Sequence, residues 1–232
     1  MRKPRSPRTS SRSGARNKFE AEAAYADSMF RSALGDQGGA VSALERALRA
    51  NPSYGPAILS MGSVKYQRGQ RSDGGNLFRS LISLPKNTPD LSELIDEAGS
   101  FLIQMRAYKD ALELYRAAVR KSPHVAVLHQ GLGCCAGHEG LHDEAVAASQ
   151  RAVQLEPDNQ RFLNDLGWSL FEGGQFEEAE RTLQRAAAMD PWDALAGENL
   201  RVCRAQLSRT GKEATATPNS RVQRPRARAR PR

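Results

Sequence analysis

No apolar run in this chain approaches the ~20 residues that a membrane-spanning helix requires. The opening MRKPRSPRTSSRSGAR also lacks the apolar core of a secretory leader. Its Arg/Ser-rich character resembles an organelle transit peptide only loosely, because residues 2–18 offer Ala15 and little else for an apolar face. Aromatic residues make up only 6% of the chain while alanine is plentiful, which argues against a sheet built from aromatic and β-branched side chains and for closely packed helices. The three cysteines are odd in number, and Cys134 adjoins Cys135, so a disulfide framework is not expected. Free thiols in a reducing, cytoplasmic setting are the expectation instead. No Walker-type loop, Cys-x-x-Cys pair or Ser-His-Asp ordering occurs.

Acidic residues are missing from both ends. Residues 1–18 carry seven Arg or Lys and no acid, and residues 201–232 carry ten with only Glu213. The net charge of +8 therefore conceals an acidic body, in which residues 19–200 hold 17 basic and 25 acidic residues, a balance of −8. The ends, from RKPRSPRTSSRSGAR to RVQRPRARARPR, have almost nothing to bury and are expected to be disordered.

What is present is a period. Pro123, Pro157 and Pro191 are spaced by 34, and Pro52 joins the series if one unit is lengthened around LPKNTPD. Gly35, Gly69, Arg106, Gly140 and Gly174 repeat in the same way. Between these landmarks lie two short helical patterns. In residues 160–172, Leu163, Leu166, Gly167 and Leu170 share a face; in residues 176–189, Phe176, Ala179, Leu183, Ala186 and Met189 share another. Glu177 and Glu178 favour the start of the second helix through its dipole, and Asp190–Pro191 ends it.

The unit resembles a tetratricopeptide repeat, W-x2-L-G-x2-Y, then A-x3-F, then P. The fifth unit matches through Leu163, Leu166, Gly167, Leu170, Ala179, Leu183 and Pro191; the fourth through His129, Leu132, Gly133, Ala136, Ala145, Ser149 and Pro157. The third supplies Ile95, Ala98, Gly99, Leu102, Ala111, Tyr115 and Pro123. The second keeps Ile58, Met61, Gly62, Gly69 and Phe78, with Gly74 where Ala is expected. The first departs most, with Asp27, Ser28 and Arg31 at the Leu, Gly and Tyr positions. The resemblance implies an all-α fold: an α-solenoid of five helix-turn-helix repeats, at about 21–54, 55–91, 92–125, 126–159 and 160–193, plus a C-terminal capping helix at 194–207. This body, 19–208, would lie between the tails 1–18 and 209–232.

Two local motifs compete with that register. HEGLH (138–142) is a literal H-E-x-x-H, which binds zinc when both histidines sit one turn apart on a continuous helix. Here Gly140 is the expected inter-helix turn, so the motif is read as a turn. GLGCCA (131–136) fits a dinucleotide fingerprint, but its glycines fall inside an expected helix rather than after a strand. No cofactor and no metal are expected.

In the family this chain resembles, the first helices of successive repeats line a concave groove that binds peptides or partner helices. By register the resemblance assigns that role here to Tyr25, Met29, Leu59, Ser63, Tyr66, Asp96, Ser100, Gln104, Gln130, Cys134, His138, Arg161, Asn164, Trp168 and Phe171. Trp168 and Phe171 are the expected anchors, since buried aromatics dominate interface energetics. Members that grip the acidic tails of heat-shock chaperones do so with a Lys/Asn ladder. Tyr25, Met29, Leu59 and Ser63 stand at those positions, so that clamp is absent. The expected function is a non-catalytic interaction scaffold. The alternative is an adaptor that also binds nucleic acid or another polyanion, without sequence reading, through Arg221, Arg224, Arg226, Arg228, Arg230 and Arg232. A zinc hydrolase built on HEGLH comes third.

Overall fold

Apolar residues spaced three and four apart wind the described part of the chain into helices. The computed structural model describes residues 8–216 and contains, among them, eleven helices and no strand. They are α1 (Arg8–Ala33), α2 (Gln37–Ala50), α3 (Gly55–Gln67), α4 (Arg71–Ser83), α5 (Leu91–Gln104) and α6 (Tyr108–Lys121), then α7 (Ala126–His138), α8 (His142–Leu155), α9 (Gln160–Glu172), α10 (Phe176–Met189) and α11 (Ala194–Ala216). Successive pairs, α1–α2 to α9–α10, stack into an α-solenoid capped by α11. Helix α1 reaches back into the basic stretch 1–18, and α11 runs past residue 207. None of these helices is long and apolar enough to cross a membrane.

Within each pair the reversal is made by one residue in the left-handed region: Gly35, Gly69, Arg106, Gly140 and Gly174, with φ of 80, 83, 54, 73 and 77°. Two backbone bonds fix every turn. In the fifth unit the Gln175 N–H donates to the Leu170 carbonyl at 2.9 Å and the Gly174 N–H to Phe171 at 3.0 Å. This is the Schellman pattern, which satisfies the last carbonyls of the first helix. It recurs in the HEGLH unit, where Leu141 donates to Ala136 at 2.8 Å and Gly140 to Gly137 at 2.9 Å.

Packing between paired helices depends on small residues at the crossing. A Cβ built on Gly167 would lie 2.5 Å from Leu183 Cγ and 3.2 Å from the Leu183 backbone nitrogen. The departure at Gly74 has the same cause: a Cβ there would come within 2.7 Å of the Gly62 carbonyl oxygen and 2.9 Å of the Tyr66 nitrogen, so α3 and α4 cross too closely for Ala. The extra residues after α4 are held by Lys121, whose ammonium donates to the carbonyls of Ile82 and Leu84.

The first unit replaces the consensus side chains with charge. Asp27 pairs with Arg31 at 3.0 Å and also with Arg46 of α2, while Arg31 reaches Asp36 at 3.0 Å. Ser28 is buried at the crossing and donates to the Tyr25 carbonyl at 2.6 Å. Phe19 and Phe30 of α1 and Leu34, just after its end, are exposed. At the other end of the series Met189, expected on the packing face of α10, is exposed because it is the last residue of its helix and the chain turns away at Asp190.

Candidate functional site in the concave groove

A cavity of about 370 Å³ opens between the first helices of the last two units and α11. Helix α7 contributes Gln130, Cys134 and His138; α9 contributes Asn164, Asp165, Trp168 and Glu172; α11 contributes Leu195 and Asn199. Residues on one helix face recur every three or four positions, which is why 130, 134 and 138 line one wall and 164, 165, 168 and 172 another.

Polar side chains tie the three helices together. The Gln130 amide donates to Asp165 Oδ2 at 2.8 Å, and Asn199 Nδ2 donates to Asn164 Oδ1 at 2.9 Å. Behind them Ser149 and Ser169 hydroxyls meet at 3.0 Å. Asn164 is only 4% exposed, and its own Nδ2 reaches Asp165 Oδ1 at 3.5 Å, the outer limit of a hydrogen bond. Trp168 is half-buried and packs on Phe171 with centroids 5.0 Å apart; Phe171 in turn meets Phe176 at 5.6 Å.

The groove is electrostatically one-sided. Burial raises the Asp165 carboxyl above the usual range, a shift opposed by the Gln130 hydrogen bond and the Arg161 charge. Two units earlier, burial also raises Asp96, opposed by the bond it accepts from the Tyr115 hydroxyl at 2.8 Å and again by Arg161. Among the described residues, neither Asp96, Asp165 nor Glu172 forms a salt bridge. The Cys134 thiol is pushed up by burial and by Asp165 and Glu172, so it stays protonated and is a poor nucleophile.

The cavity thus unites five residues expected from the sequence: Gln130, Cys134, His138, Asn164 and Trp168. Arg161 is exposed and close enough to act on both Asp96 and Asp165. Phe171 belongs to the packed cluster with Leu166, Leu170 and Leu183, supporting Trp168 from behind. Gln104 is exposed one unit away. Tyr66 requires a correction: it is 2% exposed, donates its hydroxyl to Asp110 at 2.6 Å and packs on Phe78 and Phe101, so it is core rather than groove surface. Leu59 packs against the core, Tyr25 stacks edge-on with Tyr54, and Met29 is exposed. None of these three lines this cavity. The tail arginines Arg221, Arg224, Arg226, Arg228, Arg230 and Arg232 lie outside the described residues.

Eight of the lining residues were not expected there, among them Asp165, Glu172, Leu195 and Asn199. A signal existed for two of them. One further step of 34 from Arg161 and Asp165 lands on Leu195 and Asn199, but residues 194–207 had been assigned to capping alone.

HEGLH is divided between two helices. His138 ends α7 and stacks on Tyr108, with centroids 4.0 Å apart and rings 16° from parallel. His142 begins α8 and is exposed rather than packed like its counterparts Tyr108 and Phe176, because an imidazole gains less from burial. Among the described residues, no group of three or more His, Cys, Asp or Glu is placed to hold a metal ion.

Comparison with known proteins agrees with the architecture. Residues 98–160 and 138–198 each match a family model described as tetratricopeptide repeat. The small glutamine-rich tetratricopeptide repeat-containing protein 2 of Mycosarcoma maydis is 25% identical over 117 residues, 50% of this chain and 33% of that protein. The Hsp70-Hsp90 organizing protein of Triticum aestivum is 22% identical over 124 residues, 53% of this chain and 21% of that protein. The chain thus spans about a third or less of the length of these relatives. Among solved structures, YrrB, a TPR protein with an unusual peptide-binding site, aligns with a TM-score of 0.55 at 20% identity, covering 81% of this chain and 95% of its own. MamA aligns with a TM-score of 0.55 at 19% identity, covering 75% and 94%. At such identities the structural likeness concerns the fold.

Proposed function

We propose that this chain, in which residues 98–198 match tetratricopeptide-repeat models, is a non-catalytic interaction scaffold of that family whose groove between α7, α9 and α11 holds an extended peptide or partner segment. The observation that carries the reading is Trp168. Its ring is half-exposed at the edge of a 370 Å³ cavity and is braced from behind by Phe171. An indole in that position supplies a large apolar contact that a ligand can cover, while Asn164, Gln130 and Asn199 supply hydrogen-bonding groups that fix its register. Asp96, Asp165 and Glu172 outnumber Arg161, so the groove favours neutral or basic ligands over acidic ones. The absence of a Lys/Asn ladder at Tyr25, Met29, Leu59 and Ser63 points the same way.

The test is to select ligands for the full chain from a random peptide library and to measure their affinity by calorimetry. Trp168→Ala is expected to weaken binding by ~2 kcal/mol, about thirtyfold, with the melting temperature nearly unchanged. Unchanged affinity would place the binding site elsewhere. A mutant that unfolds would make Trp168 a core residue.

A further inference from the structure

The groove and the C-terminal segment are chemically matched. Residues 217–232 contain six arginines and no acidic residue, and the five from Arg224 to Arg232 occupy alternate positions. In an extended chain alternate side chains lie on one side and repeat about every 7 Å. The groove opposite carries Asp165 and Glu172 without salt-bridge partners among the described residues, an indole face suited to a guanidinium, and the Asn164 amide with only a marginal acceptor.

The connection is long enough. Leu195 and Asn199, in the first turns of α11, line the cavity, whereas residue 216 ends that helix. The 23 residues of α11 place its far end about 30 Å from the cavity. Sixteen further residues can span at most about 55 Å. The first eight or so can therefore lead back along α11, leaving the alternating arginines at the groove. Tethering also favours occupancy, because a segment on a short linker is present at an effective concentration on the order of millimolar.

We propose that residues 217–232 of this chain occupy its own groove between α7 and α9, so that the segment competes with the external ligand. The inference rests on the groove reading given under Proposed function.

Trp168 reports the occupancy directly. In the full chain carrying Trp192→Phe, Trp168 is the sole indole, since the chain has two tryptophans and Trp192 is 94% exposed on the loop before α11. The tail variant replaces Arg221, Arg224, Arg226, Arg228, Arg230 and Arg232 by Gln, leaving every described helix intact. Its Trp168 is expected to shift to the red and to lose protection against acrylamide quenching, equally at all protein concentrations. A synthetic peptide of residues 217–232 should restore the protection. Asp165→Asn with Glu172→Gln should abolish it while the helical circular-dichroism melt persists. Identical quenching in the parent and the tail variant would overturn the proposal. Protection that fades on dilution would overturn it too, assigning the groove to the tail of a second copy. Library-selected peptides separate this inference from the groove reading. Tighter binding by the tail variant supports competition, equal binding refutes the tail while sparing the groove, and binding by neither protein refutes the groove itself.

Discussion

The first and fifth units share a topology and a turn but are held together by unlike forces. In the fifth, α9 meets α10 through Gly167 and Leu183 at van der Waals distance, with Leu163, Leu166 and Leu170 buried around them. In the first, Ser28 occupies the glycine position, the buried side chains are mostly alanines (Ala21, Ala40, Ala43 and Ala47) with Leu44, and Asp27, Arg31, Arg46 and Asp36 add ion pairs that solvent reaches. Close packing is indifferent to salt and holds a surface rigidly, whereas exposed ion pairs are screened and contribute little. The cavity lies in the packed region. The difference teaches that the groove is built beside the crossing packed with leucines rather than the one packed with alanines and edged with ion pairs.

The strongest way to break that contrast is to fill the crossing. Gly167→Leu is expected to cost about 3 kcal/mol, because the added side chain collides with Leu183 and its backbone. Gly133→Leu should cost somewhat less, since its nearest contact is the Ser149 hydroxyl at 2.5 Å, with backbone atoms beyond 3.3 Å. Ser28→Ala in the first unit should be nearly neutral, its hydroxyl being bonded only within its own helix. Thermal melts of the three variants test the order; equal losses would mean that the two units pack alike.

Acid should separate the units in opposite directions. The Asp27 carboxyl is held low, chiefly by its hydrogen bond to Arg31, so the stability it lends exists above its unfolded value and disappears as pH falls through the folded one. Burial raises Asp165 and Asp96, so folding binds a proton there; that contribution is complete below the unfolded value and is lost as pH rises through the raised one. As pH falls from neutral, amide exchange corrected for intrinsic rates should first slow in α9 as Asp165 titrates through its raised value; α1 and α2 should lose protection only in stronger acid, below the ordinary carboxylate range. Asp165→Asn should stabilise the fold at neutral pH, and the gain should vanish in acid. Uniform loss of protection along the chain would contradict this account.

The smallest effect concerns the third turn. Arg106 holds φ of 54° where the other four turns have glycine. Arg106→Gly should gain up to ~1 kcal/mol, the strain relieved being partly offset by the freer unfolded chain. A loss of stability would show that the Arg106 side chain contributes more than its backbone costs.

The five turns were legible in the sequence because each demands a special backbone conformation, and even Arg106 was found by its place in the period. So were the helix pairs, since leucines and alanines at spacings of three and four leave no strand alternative. The groove was legible in part. Gln130, Cys134, His138, Asn164 and Trp168 follow from register, but Tyr66 does not, because register cannot tell that Phe101 of the next unit covers it. Asp165 was overlooked for a related reason: a carboxylate beside the Leu166–Gly167 pair reads as solvent-facing until α7 and its Gln130 are placed against it. What the sequence withheld is the side-chain contact between units, which depends on how far each pair rotates on the last.

The principal packing contacts among the described residues join helices one or two places apart in the chain, from α1 with α2 to α9 with α11. Such a body carries a load in series. Tension applied between its ends passes through every junction in turn, with no long-range tie to share it, so the weakest junction sets the yield force and a unit can peel away without loosening those beyond it. The sparsest junction between units joins the first to the second through α2 and α3, so a pulled chain should give way there first, shedding the first unit while α7, α9 and α11 still enclose the groove.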